Sequence, residues 1–209
     1  MLARTFIAFA VAVAVVFVTA ALAPDARANG AVAPMGTGAV EGTLGPHAPK
    51  RAVVWLDGAP SGSWSAPRDV PVMSQRGARF APDFMVVAVG QSVTMPNDDR
   101  LIHNVFSISP AKKFDLGHYP QGESRTVQFD KPGVVELFCN IHENMHATVV
   151  VAPSTFFAVA DAEGKFALRG VPAGSYKLTA YSPDEGTATT TVKIAAGATT
   201  KASFQLEKK

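Results

Sequence analysis

Short apolar runs separated by glycine and proline make up most of this 209-residue chain. They are rich in Val, Thr and Phe, and after the N-terminal segment none keeps a helical period beyond a turn or two. β-Branched and aromatic residues favour strands, while Pro and Gly favour turns. The pattern therefore predicts an all-β protein, with the 17 glycines and 15 prolines supplying its turns.

The N-terminal segment has a different pattern, typical of a secretory signal peptide. A positive start, MLAR, precedes an apolar run from Phe6 to Ala23 that only Thr19 interrupts. Small-residue motifs end at Ala23 and Ala28, and we expect cleavage after Ala28. The run is also long enough to cross a bilayer, so an uncleaved anchor is the alternative. The segment predicts export to the periplasm, with no stable membrane span once the signal is removed.

Composition divides the rest of the chain into a short lead and two β segments. Residues 29–37 are rich in Gly and Ala without an apolar period, and we expect a flexible lead there. Residues 38–152 form the first β segment, which begins with the strand-like runs AVEGTL at 39–44 and RAVVWLDG at 51–58. Residues 153–209 show about five alternating runs with turns every eight to twelve residues, which predicts a small antiparallel β-sandwich.

The charge of the chain gives no argument for a nucleic-acid or anionic-membrane partner. The chain has 19 Lys and Arg against 17 Asp and Glu, a formal net charge of +2, and the basic residues are scattered. A nucleic-acid or anionic-membrane surface needs basic residues in clusters. We therefore expect neither partner.

The chain contains a single cysteine, Cys139. In an oxidising compartment a structural disulfide needs two cysteines, and Cys139 has no partner within the chain. Three interpretations remain: a small buried apolar side chain, an intermolecular bridge, or a chemical group.

The residues after Cys139 favour a chemical group. In CNIHENMH, His142 and Met145 follow Cys139 at the third and sixth positions. A thiolate and a thioether are soft ligands and imidazole is borderline, a set that suits copper better than magnesium, calcium or manganese. Zinc accepts Cys and His, but methionine is a poor zinc ligand and four firm donors are lacking. Electron-transfer copper needs a second histidine, and His103, at the start of the run HNVFSIS, is the candidate.

The other histidines are weaker candidates. His146 lies beside Met145 and could replace it as a ligand, but we expect it to begin the next strand with its ring outward. His47 and His118 lie in Gly- and Pro-rich stretches and are expected to be solvated turn residues. Glu143 is expected to be exposed.

The run HNVFS, followed much later by FDKPGVVELFCNIHENM, resembles the cupredoxins, the type 1 blue copper proteins. The short ligand loop is similar to that of amicyanin, and the wider run resembles periplasmic methylamine utilization proteins. The resemblance covers roughly residues 35–152 and implies a cupredoxin-like Greek-key β-sandwich. The segment DAEGKFALRGVPAGSYKLTAY resembles carboxypeptidase regulatory-like domains, which implies a transthyretin-like β-sandwich in residues 153–209 without a catalytic role.

The cupredoxin resemblance also implies a ligand set. One type 1 copper would be bound by His103, Cys139 and His142, with Met145 as the weak axial ligand. Asn104 would tie the two ligand loops together by hydrogen bonds, and such outer bonds orient ligands and tune the potential.

Three functions are compatible with these residues. The first is electron transfer by copper to a transient redox partner, a cytochrome, dehydrogenase or oxidase, with His142 as the exit and Ile102 and Ile141 as docking contacts. The second is copper storage or delivery, which the apolar neighbours of the ligands disfavour. The third is a Cys139 nucleophile with His142 as base, but a strand-end cysteine has no helix N-terminus to lower its pKa. We therefore expect a non-enzymatic electron carrier.

Overall fold

The computed structural model describes residues 36–45, 49–60 and 70–206. The predicted signal peptide and nearly all of the lead lie outside these residues. Every regular element within them is a strand, which confirms the predicted all-β fold, and no helix there could span a membrane. The sixteen strands are β1 (Thr37–Leu44), β2 (Val53–Asp57), β3 (Ser74–Gln75), β4 (Phe80–Ala81), β5 (Phe84–Ala88), β6 (Ser92–Pro96), β7 (His103–Ser109), β8 (Lys112–Tyr119), β9 (Ser124–Gln128), β10 (Gly133–Phe138), β11 (His146–Ala152), β12 (Phe157–Val159), β13 (Lys165–Pro172), β14 (Gly174–Ser182), β15 (Gly186–Ile194) and β16 (Thr199–Phe204).

The first core lies under a five-stranded sheet with the order β5-β11-β10-β7-β8. All neighbours in this sheet are antiparallel except β5 and β11, which are parallel. The pairs β6-β9 and β3-β4 complete this half of the molecule. Strand β10 shows why the sequence folds this way: Val135 and Leu137 are fully buried, while Glu136 and Phe138 between and after them are half-buried. This period of two is typical of a strand with one face on the core.

A second, separate core lies between two further sheets. Their strand orders are β13-β1-β16 and β12-β2-β14-β15. The side chains that fill the space between them are mainly aliphatic, with three aromatic rings: Val40, Leu44, Ala52, Val54, Leu56, Ala59, Phe166, Leu168, Val171, Tyr176, Leu178, Ala180, Val192, Ile194 and Phe204. The sandwich predicted for the C-terminal segment is thus formed, but it includes strands from the beginning of the chain.

Strands β1 and β2 do not belong to the part of the fold that the sequence predicts for them. Because both lie within residues 38–152, the sequence predicts that they pack in the first β segment, and this is wrong for both strands. β1 pairs with β13 and β16, and β2 lies between β12 and β14. Val40 and Leu56 are buried in the second core. The apolar alternation of a strand indicates that one face is buried, but it does not identify the partner strand.

Gly42 allows a direct test of how β1 packs. A Cβ atom at this position would lie 2.6 Å from the Phe166 ring and would also collide with the Ala202 carbonyl oxygen. We therefore expect Gly42→Ala to lower the free energy of unfolding by about 1–3 kcal/mol, the usual cost of overpacking, measured by urea denaturation. The exposed neighbour Thr43 is the control, and Thr43→Ala should change stability by less than about 0.5 kcal/mol. Equal stability of the two variants would contradict this packing of β1.

Candidate metal centre

Two strand ends and one loop bring three donor side chains together. His103 begins β7, Cys139 directly follows β10, and His142 lies in the loop before β11. Because β7 and β10 are antiparallel neighbours, the start of one lies beside the end of the other. One potential ligand atom from each of the three residues lies within 4.8 Å of the other two. Nδ1 of His142 is 3.1 Å from Nδ1 of His103 and 3.9 Å from Sγ of Cys139.

The three donor side chains differ in their exposure to solvent. The His103 side chain is fully buried, and Cys139 is a free, buried thiol that is 6% exposed. His142 is only partly buried, and its ring meets that of His103 edge-on with centroids 4.7 Å apart. The cluster therefore lies beneath the surface and reaches solvent at His142.

Met145 is buried close to these residues. Its side chain is 1% exposed and belongs to the same core cluster as Cys139. Its backbone N–H donates to the His142 carbonyl oxygen at 3.0 Å, which closes the turn of the ligand loop. The axial role of its thioether stays a prediction.

Asn104 does not make the hydrogen bonds that the resemblance implies. Its Nδ2 group donates to Oδ1 of Asp115 at 2.6 Å and to the Gly117 carbonyl oxygen at 3.2 Å, both in β8. The backbone N–H of Gly117 and, next, the Asn104 amide hold the pKa of Asp115 below its usual value. The β7-β8 register, which shifts just after Asn104, places its amide beside β8 rather than the cysteine loop.

His118 makes a bond to the cysteine loop. Its ring lies on β8, opposite Asn104, and its Nε2 atom is 3.1 Å from Oδ1 of Asn140, the residue after Cys139. His118 is exposed, as the sequence predicts, but it lies in a strand rather than a turn. His47, the other histidine expected to be solvated, falls outside the described residues.

His146 is not part of the donor cluster. It begins β11 and is exposed, in the position expected from the sequence. Its Nε2 atom lies 2.7 Å from Oε2 of Glu136, and its ring packs against Phe138 with centroids 5.0 Å apart. Glu143 is exposed, also as expected.

Sequence reasoning missed Asp99. Oδ2 of Asp99 lies 3.1 Å from Nε2 of His103, and the same oxygen accepts the Ala78 backbone N–H at 2.8 Å. These contacts, with the Ala78 N–H as the larger cause and His103 as the next, lower the pKa of Asp99 to about 2. The only available signal was an aspartate four residues before His103 in DDRLIH, which by itself does not predict a contact.

A buried polar network supports the strand that faces His103. Tyr119 pairs with His103 in the β7-β8 register and is fully buried. Its hydroxyl accepts a hydrogen bond from Nε2 of Gln75 at 2.5 Å and donates to the Met95 carbonyl oxygen at 3.0 Å. Burial raises the pKa of Tyr119 to about 12, so the phenol stays neutral at physiological pH. The network links β3, β6 and β8 next to the donors.

The donor set fits copper. Two imidazole nitrogens and one thiol lie within a few ångströms, and a methionine is buried nearby. Soft sulfur donors combined with imidazole suit copper, whereas a closed structural zinc site needs four firm donors. Fold and cluster together define an all-β protein with a candidate Cys-His-His donor set, of which His103 and Cys139 are buried and His142 is partly exposed, at one end of a sheet.

Comparison with known proteins gives matches to parts of the chain. Residues 145–207 match the carboxypeptidase regulatory-like domain family, which confirms the resemblance of the C-terminal segment. The match begins at Met145, before the predicted start at residue 153, and so includes β11, which pairs with β10 and β5. A search of curated protein sequences found no match to this chain.

Solved structures similar to this chain include a purple cupredoxin, amicyanin and a copper-containing nitrite reductase. A purple cupredoxin from Nitrosopumilus maritimus is 23% identical, with a TM-score of 0.36, over 39% of this chain and 99% of that protein. A reduced amicyanin variant is 22% identical, with a TM-score of 0.38, over 47% of this chain and 97% of amicyanin. A copper-containing nitrite reductase from Thermus scotoductus SA-01 is 23% identical, with a TM-score of 0.38, over 44% of this chain but only 25% of the enzyme.

Proposed function

We propose that this protein carries single electrons between redox partners in the periplasm through one type 1 copper ion. His103, Cys139 and His142 would be the strong ligands and Met145 the axial one. The observation that carries the proposal is the convergence of one thiol and two imidazoles, with ligand atoms within 4.8 Å, at the ends of two hydrogen-bonded strands. The signal-peptide pattern of the first 28 residues supports export.

The residues around the cluster suit a metal that changes charge with little rearrangement. When bound, copper would supply a one-electron Cu(I)/Cu(II) couple. His103 and Cys139 are held at strand ends in the core, where close packing limits movement and excludes water. His142 lies in the loop that joins β10 to β11, and its carbonyl oxygen accepts the Met145 backbone N–H. The chain therefore supplies a largely preformed donor set in which only His142 reaches solvent.

The surface near His142 suits a weak, short-lived partner. His142 is the partly exposed donor, and three large apolar side chains in the two ligand loops are exposed: Leu101 at 46%, Ile102 at 54% and Ile141 at 45%. Apolar side chains grouped at a surface favour protein contact, and small interfaces are typical of electron-transfer encounters. By resemblance, the partner would be a cytochrome, dehydrogenase or oxidase.

Copper storage or delivery without electron transfer is the second candidate. It uses the same donors, but a protein that hands on its metal needs an accessible site. Here one donor is fully buried and the thiol is 6% exposed, which favours retention of the metal. No catalytic step is part of the proposal.

A copper titration of the chain from residue 29 onward tests the proposal. We expect Cu(II) to produce an intense blue absorption that saturates at one equivalent, because Cys139 would donate thiolate charge to the metal. A mild reductant should bleach the colour and an oxidant should restore it. A colourless complex formed only with Cu(I) would favour storage or delivery instead. Thiol-dependent hydrolysis without metal would contradict the proposal and indicate that Cys139 is a nucleophile.

A further inference from the structure

The contact between Asp99 and His103 has consequences for the metal centre beyond packing. We propose that Asp99 is a positioning residue that holds His103 in the tautomer needed for ligation and lowers the reduction potential of the bound copper. Only the second part of this inference, the effect on the reduction potential, rests on the proposed copper site. Ligating histidines commonly donate their other ring N–H to a carboxylate, and this bond orients the ring and raises its basicity.

The hydrogen-bond geometry assigns the tautomer. A carboxylate can only accept hydrogen bonds, so at 3.1 Å from Oδ2 of Asp99 the Nε2 atom of His103 must carry the proton. In the neutral ring Nδ1 then has a free lone pair, and this is the atom that faces the cluster, 3.1 Å from Nδ1 of His142. Nδ1 of His142 then donates the hydrogen bond that joins it to Nδ1 of His103. The bond to Asp99 thus presents His103 Nδ1 to the metal site ready to bind.

Asp99 is itself held in place from two sides. Its Oδ2 atom accepts the Ala78 N–H, and its own backbone N–H donates to Oδ1 of Asn97 at 2.9 Å. Asn97 is fully buried and donates through Nδ2 to the carbonyl oxygens of Leu101 at 2.8 Å and Tyr119 at 2.9 Å. A carboxylate fixed in this way can orient a ring, because it cannot follow the ring if the ring turns.

The carboxylate also places a negative charge one imidazole away from the metal position. The Asp99 side chain is 14% exposed and that of His103 is fully buried, so water and salt screen this charge weakly. A nearby negative charge stabilises Cu(II) more than Cu(I), and this lowers the reduction potential. Asp98 provides a comparison within the same loop, because it is exposed and its carboxylate accepts a hydrogen bond from the Ser74 hydroxyl instead of His103.

The variant Asp99→Asn tests the charge with little change of shape. The bonds from the Ala78 N–H and from His103 Nε2 end on the same oxygen of Asp99, and an amide oxygen can accept them as well. We expect Cu(II) affinity to fall roughly 10- to 100-fold and Cu(I) affinity to fall less, and each tenfold drop in the ratio of Cu(II) to Cu(I) affinity raises the reduction potential by about 60 mV. Asp98→Asn removes the same charge and should change the ratio much less. Equal shifts in the two variants, or no shift in Asp99→Asn, would overturn the charge effect.

A copper-free measurement tests the positioning role independently. In the metal-free protein, nitrogen-15 NMR of the His103 ring should show the Nε2–H tautomer as the main form at neutral pH. In Asp99→Ala the Nε2–H tautomer should no longer be the main form of the His103 ring, whereas in Asp98→Ala it should remain the main form. The backbone amide spectrum checks that both variants remain folded. A main Nδ1–H tautomer in the unmodified protein would overturn the positioning role. If the tautomer is as expected but no blue site forms, the proposed function and the charge effect fail while the positioning role stands.

Discussion

Cys139→Ser is expected to abolish the blue absorption and to weaken Cu(II) binding by more than about 100-fold. The reason is that the absorption needs a thiolate donor, and loss of a direct ligand should exceed the 10- to 100-fold cost of losing an outer-shell partner. Copper titration followed by visible absorption and competition with a chelator measures both effects. Burying an unpaired hydroxyl at this 6% exposed position should lower the free energy of unfolding by only about 1–3 kcal/mol. We therefore expect the variant to remain folded.

A pair of histidine variants controls for general damage to the site, since the chain has no second cysteine. His103→Gln should abolish the blue absorption as Cys139→Ser does. His118→Gln removes an exposed histidine whose contact is with Asn140 and should keep the absorption. A blue complex that survives Cys139→Ser would show that copper binds elsewhere and would contradict the proposed ligand set.

Leu137→Ala is expected to lower the free energy of unfolding by about 2–5 kcal/mol. Leu137 is fully buried on β10, two residues before Cys139, so its truncation leaves a cavity next to the strand end that carries the thiol. We also expect weaker copper binding, because the cavity loosens the position of Cys139. Urea denaturation of the metal-free protein and a copper titration measure the two consequences.

Leu178→Ala is the matched control in the second core. Leu178 is also fully buried, on β14, and belongs to the other core cluster. We expect a similar loss of stability but an unchanged copper affinity and absorption, because the cavity lies in a separate core. If both variants lose the copper site to the same extent, the two cores do not act separately and the effect of Leu137→Ala is general unfolding.

Local patterns in the sequence were sufficient to predict the strands and most of the candidate donors. Cys139, His142 and Met145 lie within seven residues, so one short loop must keep them near each other whatever the rest of the fold does. His103 lies far away in sequence, and its choice depended on the resemblance to cupredoxins as well as on its place at a strand start. The structure brings it to 3.1 Å from His142, where strand ends of one sheet meet.

Side-chain partners were harder to predict than donors. Asn104 was expected to join the ligand loops, but the β7-β8 register directs its amide to Asp115. Asp99 was missed, although it contacts His103 more closely than any other acidic residue described. Hydrogen bonds between side chains depend on register and rotamer to within an ångström or so, and residue types and spacing do not carry that information.

The sequence by itself determined that this chain forms strands and that a thiol, an imidazole and a thioether share one loop, because period-two burial and chain connectivity are local properties. Only the tertiary structure decided that β1 and β2 belong to the second sandwich, that His103 joins the donor cluster, and that Asp99 contacts the His103 ring. These contacts join residues distant along the chain or depend on exact register, and they are chosen by the burial and hydrogen bonding of the whole molecule rather than by any segment alone.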